Sequence, residues 1–166
     1  MRFRVEQRFD GPPDVVEAAL LDPAFVSELS RLPGLGAPEV LSHEVDGDVV
    51  RRRVRYRFTG DLAPAVTAVV DPDRLTWVED TSYDLRSHRG DHRVRPDHYG
   101  GRLKASYTTR VEPDSDGTRR LTEGEVTVRF PLVGGRVEKA IVSGLAEHAR
   151  LEADALSEWL RNPNRG

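Results

Sequence analysis

LVGGRVEKAIVSGLAEHARLEADALSEWL, residues 132–160, is the stretch on which the fold turns. Val137, Ile141, Leu145, Ala155 and Trp159 fall on one stripe at helical spacing, so the segment reads as a single long amphipathic helix. Gly134-Gly135 loosens its first turn, and Asn162-Pro163-Asn164 stops it. An amphipathic helix needs an apolar surface to lie on. Working back towards the N-terminus, most of the chain that can supply one reads as strand.

Residues 39–58 read as a hairpin turning at Gly47-Asp48. That register pairs Val45 with Val50, His43 with Arg52 and Leu41 with Val54 on one face, and sets Glu44 against Arg51 on the other. Residues 65–70 and 75–78 read as a second hairpin across Asp71-Pro72-Asp73. Leu103, Ala105, Tyr107, Thr109 and Val111 share one face of a further strand, and residues 114–117 turn it into a last strand with Val126, Val128 and Phe130. The polar residues 79–101 are expected to extend two strands into a long hairpin, because a structureless loop of that length is unusual in a compact domain. At the front, residues 2–9 alternate around Phe3, Val5 and Phe9 and form an opening strand. Gly11-Pro12-Pro13 ends it. Residues 14–21 then carry Val15, Val16, Ala19 and Leu20 at helical spacing, and Asp22 caps a second short helix with Phe25, Val26 and Leu29 on one side. The expectation is an α+β chain with seven strands, two short helices after the first strand and a long helix at the end, forming one domain over residues 1–166.

That order resembles the START-like, or SRPBCC, helix-grip superfamily, and within it a bacterial subgroup of uncharacterised function. The residues that carry the resemblance are the opening strand, the helical pair GPPDVVEAALLDPAFVSEL and the terminal helix quoted above. The resemblance implies a curved antiparallel sheet wrapped around the C-terminal helix, with a cavity between them. It implies as ligand a small hydrophobic molecule, such as a lipid, a sterol or a polyketide-like aromatic, held for transport or sequestration. Some members of the superfamily are cyclases, aromatases or hydrolases, so the fold alone does not decide on catalysis.

Composition narrows the classes further. The 166 residues suffice to bury a core without staples, and there is no cysteine to form disulfides, thiolate metal sites or a thiol nucleophile. The net charge of -3 argues against a nucleic-acid partner. No run approaches the roughly 20 apolar residues of a membrane span, and the start MRFRVEQRF lacks the apolar core of a secretory signal. A cytoplasmic protein without a cofactor is expected. The oligomeric state is left open. No P-loop, dinucleotide fingerprint or nucleophile elbow occurs.

The candidate site follows from polar residues on apolar faces. His148 and Glu152, one helical turn apart, fall inside the stripe that Ile141, Leu145 and Trp159 define. They read either as a buried structural pair or as a polar spot lining the cavity, able to hold a ligand oxygen or to act as an acid/base pair. His43 and Arg52 interrupt the apolar face of the first hairpin. They read as snorkelling side chains or as guards of a cavity mouth that attract an anion. Tyr56, Phe58, Trp77, Tyr83 and Tyr107 are candidates for the pocket wall. The ligand-binding set is therefore His148, Glu152, Leu145, Ile141, Tyr56, Phe58, Trp77, Tyr107, Arg52 and His43. Arg51, Arg53, Arg55 and Arg57 form a basic row that reads as a solvated sheet face. His88, His92 and His98, with Asp91 and Asp97, match no standard zinc spacing, so no metal is expected. Two alternatives stand beside the binding module. One is an enzyme of the cyclase, aromatase or hydrolase kind using His148 and Glu152. The other is a protein-interaction module with a filled core.

Overall fold

A computed structural model describes residues 1–68 and 70–162. Seven antiparallel strands form one sheet in the order β1-β7-β6-β5-β4-β3-β2. They are β1 (Arg2–Asp10), β2 (Glu39–Asp46), β3 (Val49–Arg57), β4 (Thr76–Asp84), β5 (Arg89–Pro96), β6 (Leu103–Asp114) and β7 (Gly117–Val128). From β2 to β7 each strand turns back on the one before it, and β1 then pairs with β7. The first two strands in the chain, β1 and β2, are thus opposite edges of the sheet. The chain crosses between them through α1 (Pro13–Leu21) and α2 (Pro23–Glu28), which close one end of the sheet. Asp22 ends α1 and caps α2, its side chain accepting from the Ala24 amide at 2.8 Å.

The last helix in the chain spans Gly134–Arg161 and runs for about 42 Å at the usual rise. It lies on the inner face of the sheet, mainly against β1 and β7. This is the α+β helix-grip arrangement. Pro163 and Asn164 of the expected stop signal lie outside the described residues, and Asn162 occupies the C-cap. Among the described residues no helix is long and apolar enough to cross a membrane.

Two details depart from expectation. The hairpin over 65–70 and 75–78 does not form. Pro64–Thr67 is instead one turn of helix, here α3, with Pro64 supplying the fixed φ that suits a first helical position. Pro72–Arg74 is a 3-10 turn capped by the Asp71 side chain, and β4 begins only at Thr76. Leu41 does not face Val54 either. A bulge between Val40 and Ser42 inserts it, so Val40 takes that partner while His43–Arg52 and Val45–Val50 stay in register.

The core is divided. One apolar cluster gathers Phe9, Val16, Leu20, Phe25, Leu29 and Leu156 beneath α1 and α2. A second, at the other end of the long helix, gathers Val66, Val70, Val126, Phe130 and Val137. The helix, α4 in chain order, is buried at Val137 and Leu156, yet between them Leu145 is 38% exposed.

Candidate functional site

Between the two apolar clusters the inner face of the sheet carries polar side chains among apolar ones. Period-two alternation places Arg52 and Tyr56 of β3, Glu79 and Thr81 of β4, His92 of β5, Tyr107 and Thr109 of β6, Arg120 of β7 and Gln7 of β1 on that face. Tyr107 Oη donates to Glu79 Oε2 at 2.5 Å. His92 Nδ1 lies 3.3 Å from Glu79 Oε1 and 3.1 Å from Thr81 Oγ1, and its Nε2 lies 3.0 Å from Thr109 Oγ1. The imidazole stacks flat on Tyr107, with ring centres 4.3 Å apart. Gly90 makes room for this: a Cβ there would stand 2.8 Å from His92 Nε2 and 2.7 Å from Thr109 Oγ1.

A second network ties α4 to the sheet. Arg120 Nη2 bonds Glu152 Oε2, and Arg120 Nε donates to Gln7 Oε1 at 2.7 Å. Gln7 Nε2 in turn donates to Glu152 Oε2 at 3.0 Å and to the Ala149 carbonyl at 2.6 Å. The ion pair is largely withdrawn from solvent, with side-chain exposures of 16% and 14%. Three buried nitrogens have no partner among the described residues: His43 Nδ1, Arg52 Nε and His148 Nδ1.

The electrostatics show how closely these groups share one space. Burial pushes the Tyr56 hydroxyl above its ordinary range; the Glu79 charge adds to that, while Arg52 and Arg120 oppose it. Tyr107 is raised by burial and then by Glu79. For Glu79, burial pulls the carboxyl up, but the bond and charge of His92, the Tyr107 hydroxyl and Arg52 together outweigh it and hold it at about 2. Glu152 is also lowered: burial opposes this, and the Arg120 charge, a smaller share from His148 and the Gln7 bond overcome it. These groups lie deep, yet the surrounding face is not closed. Phe3, Val5, Tyr56, Trp77, Val94, Ala105 and Tyr107, whose parity is inward, are only half-buried.

The ten expected site residues fall in different parts of this region. Tyr56 and Trp77 are cross-strand partners stacked at 5.8 Å, and Tyr107 is in the Glu79 network. Arg52 and His43 face each other across β3 and β2 on the inner side. Ile141 packs against the second apolar cluster, and Leu145 is exposed in the middle of α4. Phe58 lies just past β3, where its ring covers Gly60. His148 and Glu152 are close, but the Glu152 carboxylate is taken by Arg120 and Gln7. Tyr83 belongs to a separate contact, donating to Glu17 Oε1 at 2.6 Å, with His88 Nδ1 2.9 Å from the same oxygen. Glu79, His92, Arg120 and Gln7 were not among the expected site residues. Their common signal is alternation in step with Trp77, Val94, Val126 and Phe9 respectively.

His88, His92 and His98 are separated, the first at Glu17, the second inside the sheet and the third beside Arg74. Among the described residues no group of three or more histidine and carboxylate side chains is placed to hold a metal ion. An open concavity of about 1360 Å³ lies mostly on the outer face, lined by charged residues such as Arg4, Arg51, Arg53, Arg93 and Glu123. Its charges are cross-paired, as in Arg53–Asp80 at 3.1 Å and Arg4–Glu123 at 3.1 Å, and such exposed pairs contribute little. The three unpartnered buried nitrogens belong to residues of the inner side, which is therefore the candidate site.

The family described as Protein of unknown function (DUF2505) matches residues 4–160, and the chain belongs to that family. No curated protein matches it. Among solved structures, TTHA0849 from Thermus thermophilus is similar over 99% of both chains at 18% identity, with a TM-score of 0.71. Protein Ms6760 from Mycobacterium smegmatis is similar over 98% of this chain and 92% of its own at 14% identity, with a TM-score of 0.59. The di-domain ARO/CYC StfQ from the steffimycin biosynthetic pathway is similar over 98% of this chain and 46% of its own at 13% identity, with a TM-score of 0.55. At these identities the likeness is one of fold.

Proposed function

We propose that the chain binds a small molecule with an apolar body and polar ends in the cavity between the sheet and α4, and carries or sequesters it. One observation supports this above the others. The stripe of α4 is buried at both ends and exposed at Leu145, and the inner face of the sheet carries a polar floor in which buried nitrogens of Arg52 and His43 lack partners among the described residues. A folded chain with no ligand to accommodate has no reason to keep such a floor, since buried polar groups without partners cost stability. Stacked Tyr56 and Trp77 supply apolar wall, and Tyr107, His92 and Glu79 supply fixed polar groups. The resemblance to the START-like superfamily and the likeness to an ARO/CYC domain fit this reading. They bring polyketide-like aromatics forward as a ligand class beside lipids and sterols.

Binding is favoured over acid/base catalysis by the helix pair. A general base needs a partner that orients it, and Glu152 is bonded to Arg120 and Gln7 instead of His148. A filled core, as an interaction module would have, is at odds with the accessible inner face. The test is native mass spectrometry of the purified chain, then denaturation and extraction, backed by a thermal-shift screen of lipids, sterols and fused-ring aromatics. A co-purifying small molecule, or a shift with one of these classes, is expected. A clean unliganded mass together with no shift across the screen refutes the proposal.

A further inference from the structure

Arg52 stands out among the charged groups of the inner face. It is only 9% exposed, and its Nε is buried without a partner. Its one hydrogen bond among the described residues runs from Nη1 to the Leu20 carbonyl, 3.1 Å away near the end of α1. Arg120, largely withdrawn from solvent, is bonded to a carboxylate, whereas Arg52 is bonded to none among the described residues. Glu79 acts on the same region, but its two oxygens are occupied by Tyr107 on one side and by His92 and Thr81 on the other. Directly across from Arg52, on the neighbouring strand and the same face, is His43, whose Nδ1 is also buried and unpartnered.

Glu79 is close enough for the Arg52 charge to help lower its carboxyl, but it gives Arg52 no hydrogen bond, and the planar guanidinium fork is shaped to take a carboxylate or similar oxyanion by two hydrogen bonds. Two adjacent strands therefore present unmet nitrogens at one spot. Tyr56 follows Arg52 by two alternations on the same face, and its ring is stacked on Trp77. The Val54–Glu79 pair separates the charged spot from this aromatic pair, which lies two rows along the same face.

We infer that Arg52 and His43 form an anion subsite, and that the ligand is an aromatic acid whose acidic group docks there while its ring lies along Tyr56 and Trp77. The inference rests on the binding reading above and narrows it. A neutral lipid or sterol would leave the guanidinium unsatisfied, whereas an acid supplies the missing partner.

The test uses two dyes of nearly the same shape, the anion 1-anilinonaphthalene-8-sulfonate and the uncharged N-phenyl-1-naphthylamine. Both are titrated by fluorescence against the full chain at one fixed salt concentration. The anion is expected to bind about tenfold or more tightly than the neutral dye, the size of one charge-assisted hydrogen bond. Arg52→Gln, which keeps an amide donor but removes the charge, is expected to abolish that advantage and leave the neutral dye unaffected. Arg51→Gln, on the outer face of the same strand, is expected to leave both unchanged. His43→Gln is expected to lose part of the advantage, and covers the case in which Arg52→Gln does not fold, as judged by its melting curve. Equal binding of the two dyes by the wild-type chain overturns the anion subsite but leaves the binding reading intact. So does an advantage that survives both inner-face changes or falls equally with Arg51→Gln. Failure of both dyes to bind overturns the subsite and counts against the cavity itself.

Discussion

Glu79→Gln isolates the electrostatic contribution of the polar floor. The substitution keeps the shape of the side chain and removes its charge. In the folded chain the carboxyl sits at about 2 against an ordinary 4.5, because its bonds to His92 and Tyr107 outweigh the cost of burial. At 1.36 kcal/mol for each tenfold change in proton affinity, that difference corresponds to about 3 kcal/mol favouring the charged form in the fold. The folded value lies below the unfolded one. The stabilisation is therefore complete above about pH 4.5 and is lost as the pH falls towards 2. Urea unfolding followed by tryptophan fluorescence at a series of pH values measures it, urea being preferred because it leaves charges unscreened. The difference in stability between wild type and Glu79→Gln should be about 3 kcal/mol at pH 7 and should shrink through the acid range. Asp80, Glu138 and Glu152 titrate in both proteins and largely drop out of that difference. A difference that stays constant from pH 7 to 2 would refute the reasoning, since a purely steric loss does not depend on pH.

Arg120→Ala should destabilise by about 3–5 kcal/mol, because it strands Glu152 in a site with little water; replacing both residues by methionine should recover most of the loss. A single-substitution cost below about 1 kcal/mol by urea unfolding would show that the pair is effectively solvated. Leu156→Ala, fully buried in the first cluster, should cost about 2–5 kcal/mol, and Leu145→Ala only about 1 kcal/mol because much of its surface already meets solvent. Equal costs in denaturant midpoints would mean that the middle of α4 is sealed. Gly90→Ala should lower stability by about 1–3 kcal/mol and shift the His92 ring resonances in NMR spectra, because a Cβ there collides with His92, Thr109 and Tyr83. Unchanged His92 resonances would rule out that packing.

What alternation and helical spacing carry, the sequence shows well. The stripe of Val137, Ile141, Leu145 and Trp159 locates α4, and the Val45–Val50 and His43–Arg52 pairs set the register of the first hairpin. An inserted residue is invisible to a period-two count, which is why Leu41 is assigned a partner that the bulge denies it. Residues 65–70 carry three valines and look extended, but Pro64 starts a helical turn where the chain passes from β3 to β4. The polar belt is hard to read for a different reason. Glu79, His92 and Arg120 keep the inward parity of their strands, yet charge on a strand is ordinarily taken as the mark of its outer face. Only the register across β3, β4, β5, β6 and β7 shows that these side chains meet.

The position of that belt bears on how a ligand reaches it. α4 is held at one end by Val137 in the second cluster and at the other by Leu156 in the first, with Arg120 and Gln7 bonded to it near Glu152. Lifting the helix would break both apolar clusters and an ion pair at once, which is far more than the few kilocalories per mole that a routine opening motion can draw on. Around Leu145 no such anchor exists among the described residues: residues 143–147 are all exposed, while the inner face opposite keeps accessible surface. Entry is therefore expected beneath the middle of the helix, without displacement of its ends. An additional apolar side chain at the mouth, as in Gly144→Leu, should therefore slow association of the anilinonaphthalene dyes in stopped-flow fluorescence while leaving the melting temperature nearly unchanged. A melting temperature that moved as much as the rate would show that the mouth is part of the packed core.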